Sequence, residues 1–141
     1  MAGGCVFCAI ASREVESEIV LDDEVAVAFL DHRPVFKGHV LLAPRDHVAT
    51  LADLPDGLLG PYFARARRLA RAVENSLDAD GTFVAINNKV SQSVPHLHVH
   101  VIPRRRKDGL RGFFWPRTRY DSGEEMAGYA ARIRTAAEQD P

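Results

Sequence analysis

The chain of 141 residues lacks most of the features that mark a specialised class. Its 18 basic and 19 acidic side chains leave a formal charge of −1, so no global field draws it to nucleic acid or to an anionic membrane. Uninterrupted apolar runs near the start, such as Val25 to Leu30, fall far below the about 20 residues that a bilayer-crossing helix needs. The first residues lack the basic-then-apolar pattern of a secretory signal, and a cytoplasmic location without membrane contact is expected. Internal repeats and low-complexity linkers are missing too, so the expected organisation is a single domain over 1–141. Cysteine is scarce: Cys5 and Cys8 form one Cys-x-x-Cys, in which a disulfide would close too small a loop to staple a fold. What remains is ordinary. A hydrophobic fraction of 46% with 26% charged residues matches globular chains and excludes disorder for the bulk.

Charge is distributed unevenly. Glu14 to Asp31 holds seven acidic residues and no basic one, whereas Pro103 to Arg119 holds six Arg and one Lys against Asp108 alone. Val20-Leu21 and Val25 to Leu30, separated by Asp22-Asp23-Glu24, read as the strands of a hairpin, and His39 to Ala43 as a third strand ended by Pro44. From Leu58 to Leu77, the residues Leu59, Tyr62, Phe63, Ala66, Leu69, Ala70, Val73 and Leu77 recur at helical spacing, which predicts one long helix packed on the sheet. Gly81 reads as the stop, Phe83 to Ile86 as a fourth strand, Leu97 to Ile102 as a fifth, and Glu124 to Ala137 as a C-terminal helix. An antiparallel sheet is the theme these elements predict.

The chemistry is concentrated in His96-Leu97-His98-Val99-His100-Val101-Ile102. Strict alternation predicts a strand, and a strand puts residues i, i+2 and i+4 on one face. The imidazoles of His96, His98 and His100 therefore share a face, while Leu97, Val99 and Val101 anchor the other in the core. A neutral imidazole can attack phosphorus at ordinary pH, and the central His98 has a neighbour on each side to orient it. Upstream, Asn87, Gln92 and Ser93 carry amide and hydroxyl groups that could hold non-bridging oxygens, although turn chemistry would also place such residues there.

The stretch Gln92-Ser93-Val94-Pro95-His96-Leu97-His98-Val99-His100-Val101-Ile102 resembles the signature of the histidine triad (HIT) family, His-φ-His-φ-His-φ-φ with φ apolar. The likeness extends upstream through Phe29-Leu30-Asp31, Lys37 to Pro44 and Asp46-His47, so family-like features run from about Cys5 to Pro103. The resemblance implies an α+β fold, a five-stranded antiparallel sheet in a HIT-like core of about 5–103, with the basic loop and last helix occupying 104–141. It implies a homodimer and a purine nucleotide substrate, hydrolysed at its α-phosphorus through a covalent nucleotidyl-histidine on His98. By the same resemblance His39 and His100 line and orient the site, Asp31 takes the ribose hydroxyls, and Asn87, Gln92 and Ser93 contact the phosphate and leaving group. Asp31 taken alone also reads as a strand-ending turn residue. One departure stands out: the loop Asn88-Lys89-Val90-Ser91 is short and lacks the glycines usual in relatives, which bears on backbone approach to phosphate.

Cys5 and Cys8 have a spacing that suits zinc, but a closed site needs two further ligands; a redox dithiol or two buried thiols would use the same residues. His47 and His96 resemble the histidines that complete a Cys2His2 structural zinc site in one branch of the family. The segment Arg104-Arg105-Arg106-Lys107 is either a solvated loop or a guide for a polyphosphate leaving group, with Phe113, Phe114 or Trp115 stacking on a base or buried elsewhere. Two rival readings are a non-catalytic zinc-containing module that binds nucleotides for regulation, and thiol redox catalysis, which lacks a thioredoxin-like context.

Overall fold

The computed structural model describes residues 4–110 and 116–140. Its first compact unit ends at Asp108 and a second begins at Gly109. The first unit opens with a short helix, α1 (Val6–Ala11), which the sequence reading did not anticipate. The strands are β1 (Ile19–Asp22), β2 (Ala26–Leu30), β3 (Val40–Pro44), β4 (Gly81–Ala85) and β5 (Val99–Arg104), with helix α2 (Asp56–Leu77) between β3 and β4. They form one sheet in the order β1-β2-β3-β5-β4, antiparallel at every pairing. The expected five-stranded α+β architecture is the one found.

Side-chain alternation divides the core between the two faces of the sheet. Ala26 and Ala28 of β2, Val40 and Leu42 of β3, and Val99 and Val101 of β5 pack with Tyr62, Ala66, Leu69 and Val73 of α2. The intervening residues Val27, Phe29, Leu41 and Ala43 pack with Phe7 and Ile10 of α1. The central strands are thus buried on both faces, and His98, just before β5, meets Phe7 on the α1 side. The buried stripe of α2 is narrower than expected, because Leu59, Phe63 and Leu77 remain well exposed. Tyr62, fully buried, meets the need for a partner by donating its hydroxyl to the Leu42 carbonyl at 2.7 Å.

Three boundaries depart from expectation. The α2 helix is closed by Asp78 in the left-handed region (φ 51°), and Gly81 begins β4 rather than ending the helix. The third strand includes Pro44, which lies opposite Ala26. The β5 ladder starts at Val99, opposite Leu42, not at Leu97. Continuing that register would set Pro44 against Leu97, and proline has no N–H to give the ladder; the Leu97 N–H goes instead to the Val48 carbonyl at 2.7 Å. Gly38, at φ +99°, is the tight point where β3 meets the helix end, since a Cβ there would lie 2.3 Å from Leu77 Cδ1.

The second unit contains α3 (Gly123–Gln139), capped by the Ser122 hydroxyl, which accepts from the Glu125 N–H, and every one of its residues is exposed. Among the described residues no helix is long and apolar enough to cross a membrane.

Candidate functional site

The histidine strand lies beside a cleft of about 930 Å³, a size in the range of small-molecule sites. Its walls include Phe7 and Ile10 of α1, Ile19, Phe29 and Leu41 of the sheet, and the polar groups of Asp31, Ser93, His98 and His100. The lining therefore combines apolar side chains with imidazole, hydroxyl and carboxylate groups. Phe7, Ile10 and Ile19, which the sequence did not single out, also line the cleft, as does the exposed His32, which taken alone reads as an ordinary structural histidine. The Phe7/Ile10 spacing after Cys5 was the available signal, but six residues are too few for a periodicity argument.

Backbone partners dictate the tautomers. The His98 Nδ1 lies 2.7 Å from the His96 carbonyl, which can only accept, so Nδ1 carries the proton and Nε2 keeps a lone pair. The His39 Nδ1 accepts the Val35 N–H at 3.2 Å, so its proton is on Nε2, which donates to His100 Nδ1 at 2.9 Å. That leaves His100 with its proton on Nε2. One ring of the His98–His100 pair is thus a base and the other a donor, with centroids 5.0 Å apart.

Burial keeps His39 and His100 neutral. His100 is pushed down to about 4, first by desolvation and then by the neighbouring His98 and His39, against an opposing pull from Asp31. His39 is also lowered, again by burial, with Asp31 opposing and His98 adding to the effect. The Asp31 carboxylate accepts the Arg33 N–H at 2.9 Å and stands 3.7 Å from His39 Nδ1, so it retains acceptor capacity on the cleft side.

The upstream candidates are divided. Ser93 lines the cleft; Asn87 and Gln92 do not. The Gln92 amide braces its own loop, donating to the Ala49 carbonyl at 2.6 Å and accepting the Lys89 N–H at 2.9 Å. The neighbouring Asn88, not Asn87, ties this loop across the fold by accepting the Leu51 N–H at 2.9 Å. The glycine-free loop has left-handed backbone even so, at Lys89 (φ 69°) and Ser91 (φ 61°).

The basic segment turns away from the site. Arg104 forms a two-point pair with Asp108, at 2.6 and 3.1 Å, and Arg105 donates to the Leu77 carbonyl at 2.5 Å, one of the unsatisfied acceptors at a helix C-terminus. In the ladder Arg104 lies opposite Gly81 while His100 lies opposite Ala85, and none of residues 104–107 lines the cleft. Arg104 and Arg105 thus belong to a turn that anchors the end of α2. Phe113, Phe114 and Trp115 lie outside the described residues.

Cys5, Cys8, His47 and His96 converge, with one donor atom from each lying within 4.8 Å of the others. Cys5 Sγ is 3.4 Å and Cys8 Sγ 3.6 Å from His96 Nδ1, and Cys8 Sγ is 3.3 Å from His47 Nδ1. His96 Nε2 donates to the Pro44 carbonyl at 2.7 Å, which frees Nδ1 as a lone-pair donor toward the thiols, the arrangement a metal-ligating histidine requires. Two thiols and two imidazoles in a compact group are a donor set that fits zinc.

Known proteins place the chain. The family model for the HIT domain matches residues 12–107. An adenosine 5'-monophosphoramidase of Saccharomyces cerevisiae is 37% identical over 107 residues, covering 75% of this chain and 66% of that protein. The crystal structure of a HIT-family member from Bacillus subtilis superimposes with a TM-score of 0.84 at 34% identity, covering 94% of this chain and 96% of that one. A zinc-bound histidine triad protein from Mycobacterium smegmatis gives a TM-score of 0.72 at 37% identity, covering 94% and 97% of the two chains. With its histidine strand, its sheet order and the span of this likeness agreeing, the chain belongs to the HIT family.

Proposed function

We propose that the protein is a nucleotide hydrolase acting at the α-phosphorus of a nucleoside phosphate derivative, with His98 as the nucleophile. The observation that carries this reading is the commitment of His98 Nδ1–H to the His96 carbonyl, which leaves Nε2 of a cleft-lining ring as a free base. The apolar walls at Phe7, Ile10, Ile19, Phe29 and Leu41 suit a purine, and Asp31, which lines the same cleft, would accept the ribose hydroxyls. In the first step a His98 Nε2–phosphorus bond forms as the bond from phosphorus to the leaving group breaks, and the leaving group takes up a proton. Water then attacks phosphorus, the N–P bond breaks, and the nucleoside monophosphate leaves with His98 restored as a base.

His100 donates through Nε2–H to an oxygen on phosphorus, and His39 holds it in that tautomer. Because burial keeps both rings neutral, they act as oriented dipoles rather than as charges. Ser93 offers a hydroxyl to the phosphate; Gln92 contributes by bracing the loop that carries Ser93. The phosphoramidase activity of the yeast relative supports an adenosine phosphoramidate as substrate, and a dinucleoside polyphosphate is the second substrate class to test.

Cys5, Cys8, His47 and His96 would hold zinc, and four protein ligands leave it a structural cross-link with no open position for chemistry. The zinc-bound relative supports this. The functional test mixes the chain with labelled adenosine phosphoramidate, denatures it, and looks for acid-labile label on protein. Label on wild type and none on His98→Ala is the expected result. Turnover by His98→Ala within a few-fold of wild type would remove His98 from the nucleophile's role.

A further inference from the structure

The thiols of the Cys2His2 cluster and one wall of the cleft belong to the same short piece of chain. Cys5 and Cys8 flank Phe7, and Val6, Phe7 and Ile10 line the cleft. Helix α1 has six residues, well below the roughly 12–15 at which an isolated helix becomes even marginal in water. Its position must come from tertiary contacts, and the described residues include Phe7 and Ile10 packed on the sheet, the thiols against His47 and His96, and Arg45 donating to the Ala11 carbonyl at 3.2 Å. The Phe7 ring joins the first two. It stands edge-on to Phe29 at 5.2 Å, to His96 at 5.9 Å and to His98 at 4.9 Å, the last at 90°.

We propose that Phe7 is a positioning residue coupling occupancy of the Cys5/Cys8/His47/His96 cluster to nucleotide binding in the cleft. Holding the two thiols fixes α1 against the sheet; α1 holds the Phe7 ring between Phe29 and His98; the nucleoside packs on the wall so formed. His96 gives the cluster a second mechanical route to His98, through the carbonyl that His98 Nδ1 donates to, but that route does not pass through the α1 wall. Coupling between two binding events is reciprocal, so a nucleotide in the cleft tightens zinc by the same factor as zinc tightens the nucleotide. The proposal rests on reading the cleft as a nucleotide site.

The test is a binding cycle on the full chain, with AMP as the nucleotide and zinc chloride or a chelator setting the metal state. Removing zinc from wild type should weaken AMP about tenfold, within the ordinary span of coupling energies. Phe7→Leu keeps apolar volume but loses the aromatic edge, and its AMP affinity should change less than about twofold with metal, well under that span; Phe7→Tyr should restore most of the dependence. A reading independent of any variant is amide exchange in Val6–Ala11 of wild type, which should rise on chelation and fall again when AMP saturates. Equal AMP affinity in both metal states of wild type, an unchanged metal dependence in Phe7→Leu, or exchange in α1 indifferent to metal would each overturn the coupling while leaving the nucleotide site intact. No AMP binding in either metal state would overturn the nucleotide-site reading itself, and the coupling with it.

Discussion

Replacing His100 by Asn isolates the effect of burying a neutral imidazole. The Asn Oδ1 falls where Nδ1 was, so the hydrogen bond from His39 Nε2–H keeps an acceptor while the titrating group is lost. In the folded wild type His100 titrates at about 4, whereas the unfolded chain has the ordinary value near 6.5. Below about pH 6.5 the unfolded state therefore binds a proton that the folded state refuses until about pH 4. The stability this residue contributes is complete above 6.5 and is lost as pH falls toward 4. The slope is about 1.4 kcal/mol per pH unit, so the full window is worth about 3 kcal/mol. Urea unfolding of wild type and His100→Asn at several pH values between 7 and 4, both in chelator so that metal release is not a variable, measures it. The two stability curves should converge by about 2–3 kcal/mol on going from pH 7 to pH 4. Curves that run parallel across the window would refute the claim that His100 is held neutral by its burial.

Elemental analysis of metal-replete protein should find about one zinc per chain, and chelation should lower the Tm by roughly 10 °C, because metal bound only to the native cluster is linked to folding. Zinc-free protein of unchanged Tm would discard that cross-link without touching the role of His98. Gly38→Ala puts a Cβ on left-handed backbone and against the movable end of Leu77, and should cost about 1–2 kcal/mol in urea unfolding, chiefly from the backbone; Leu77→Ala in the same background should recover little of it. Lys89→Gly and Ser91→Gly relieve positive φ at non-glycine residues and should each stabilise by up to about 1 kcal/mol. Destabilisation by either would mean that the side chain makes a contact worth more than the strain.

The sequence alone determined which residues share a face. Strand alternation placed His96, His98 and His100 on one side and Leu97, Val99 and Val101 on the other, and helical spacing marked a stripe that holds the buried Tyr62, Ala66, Leu69 and Val73 but also the exposed Leu59, Phe63 and Leu77, because both signals are local periodicities of the backbone. The Cys2His2 set was also legible, through a likeness of motif. Only the tertiary structure decided which nitrogen of each ring is free, since that depends on carbonyl and N–H groups from Pro44, Val35 and His96 itself. It alone showed the arginines of 104 and 105 committed to Asp108 and the end of α2, where composition had suggested free charge. And it alone made a cleft wall of α1, a helix too short to announce itself by period, whose position is dictated by what it packs against and not by its own propensity.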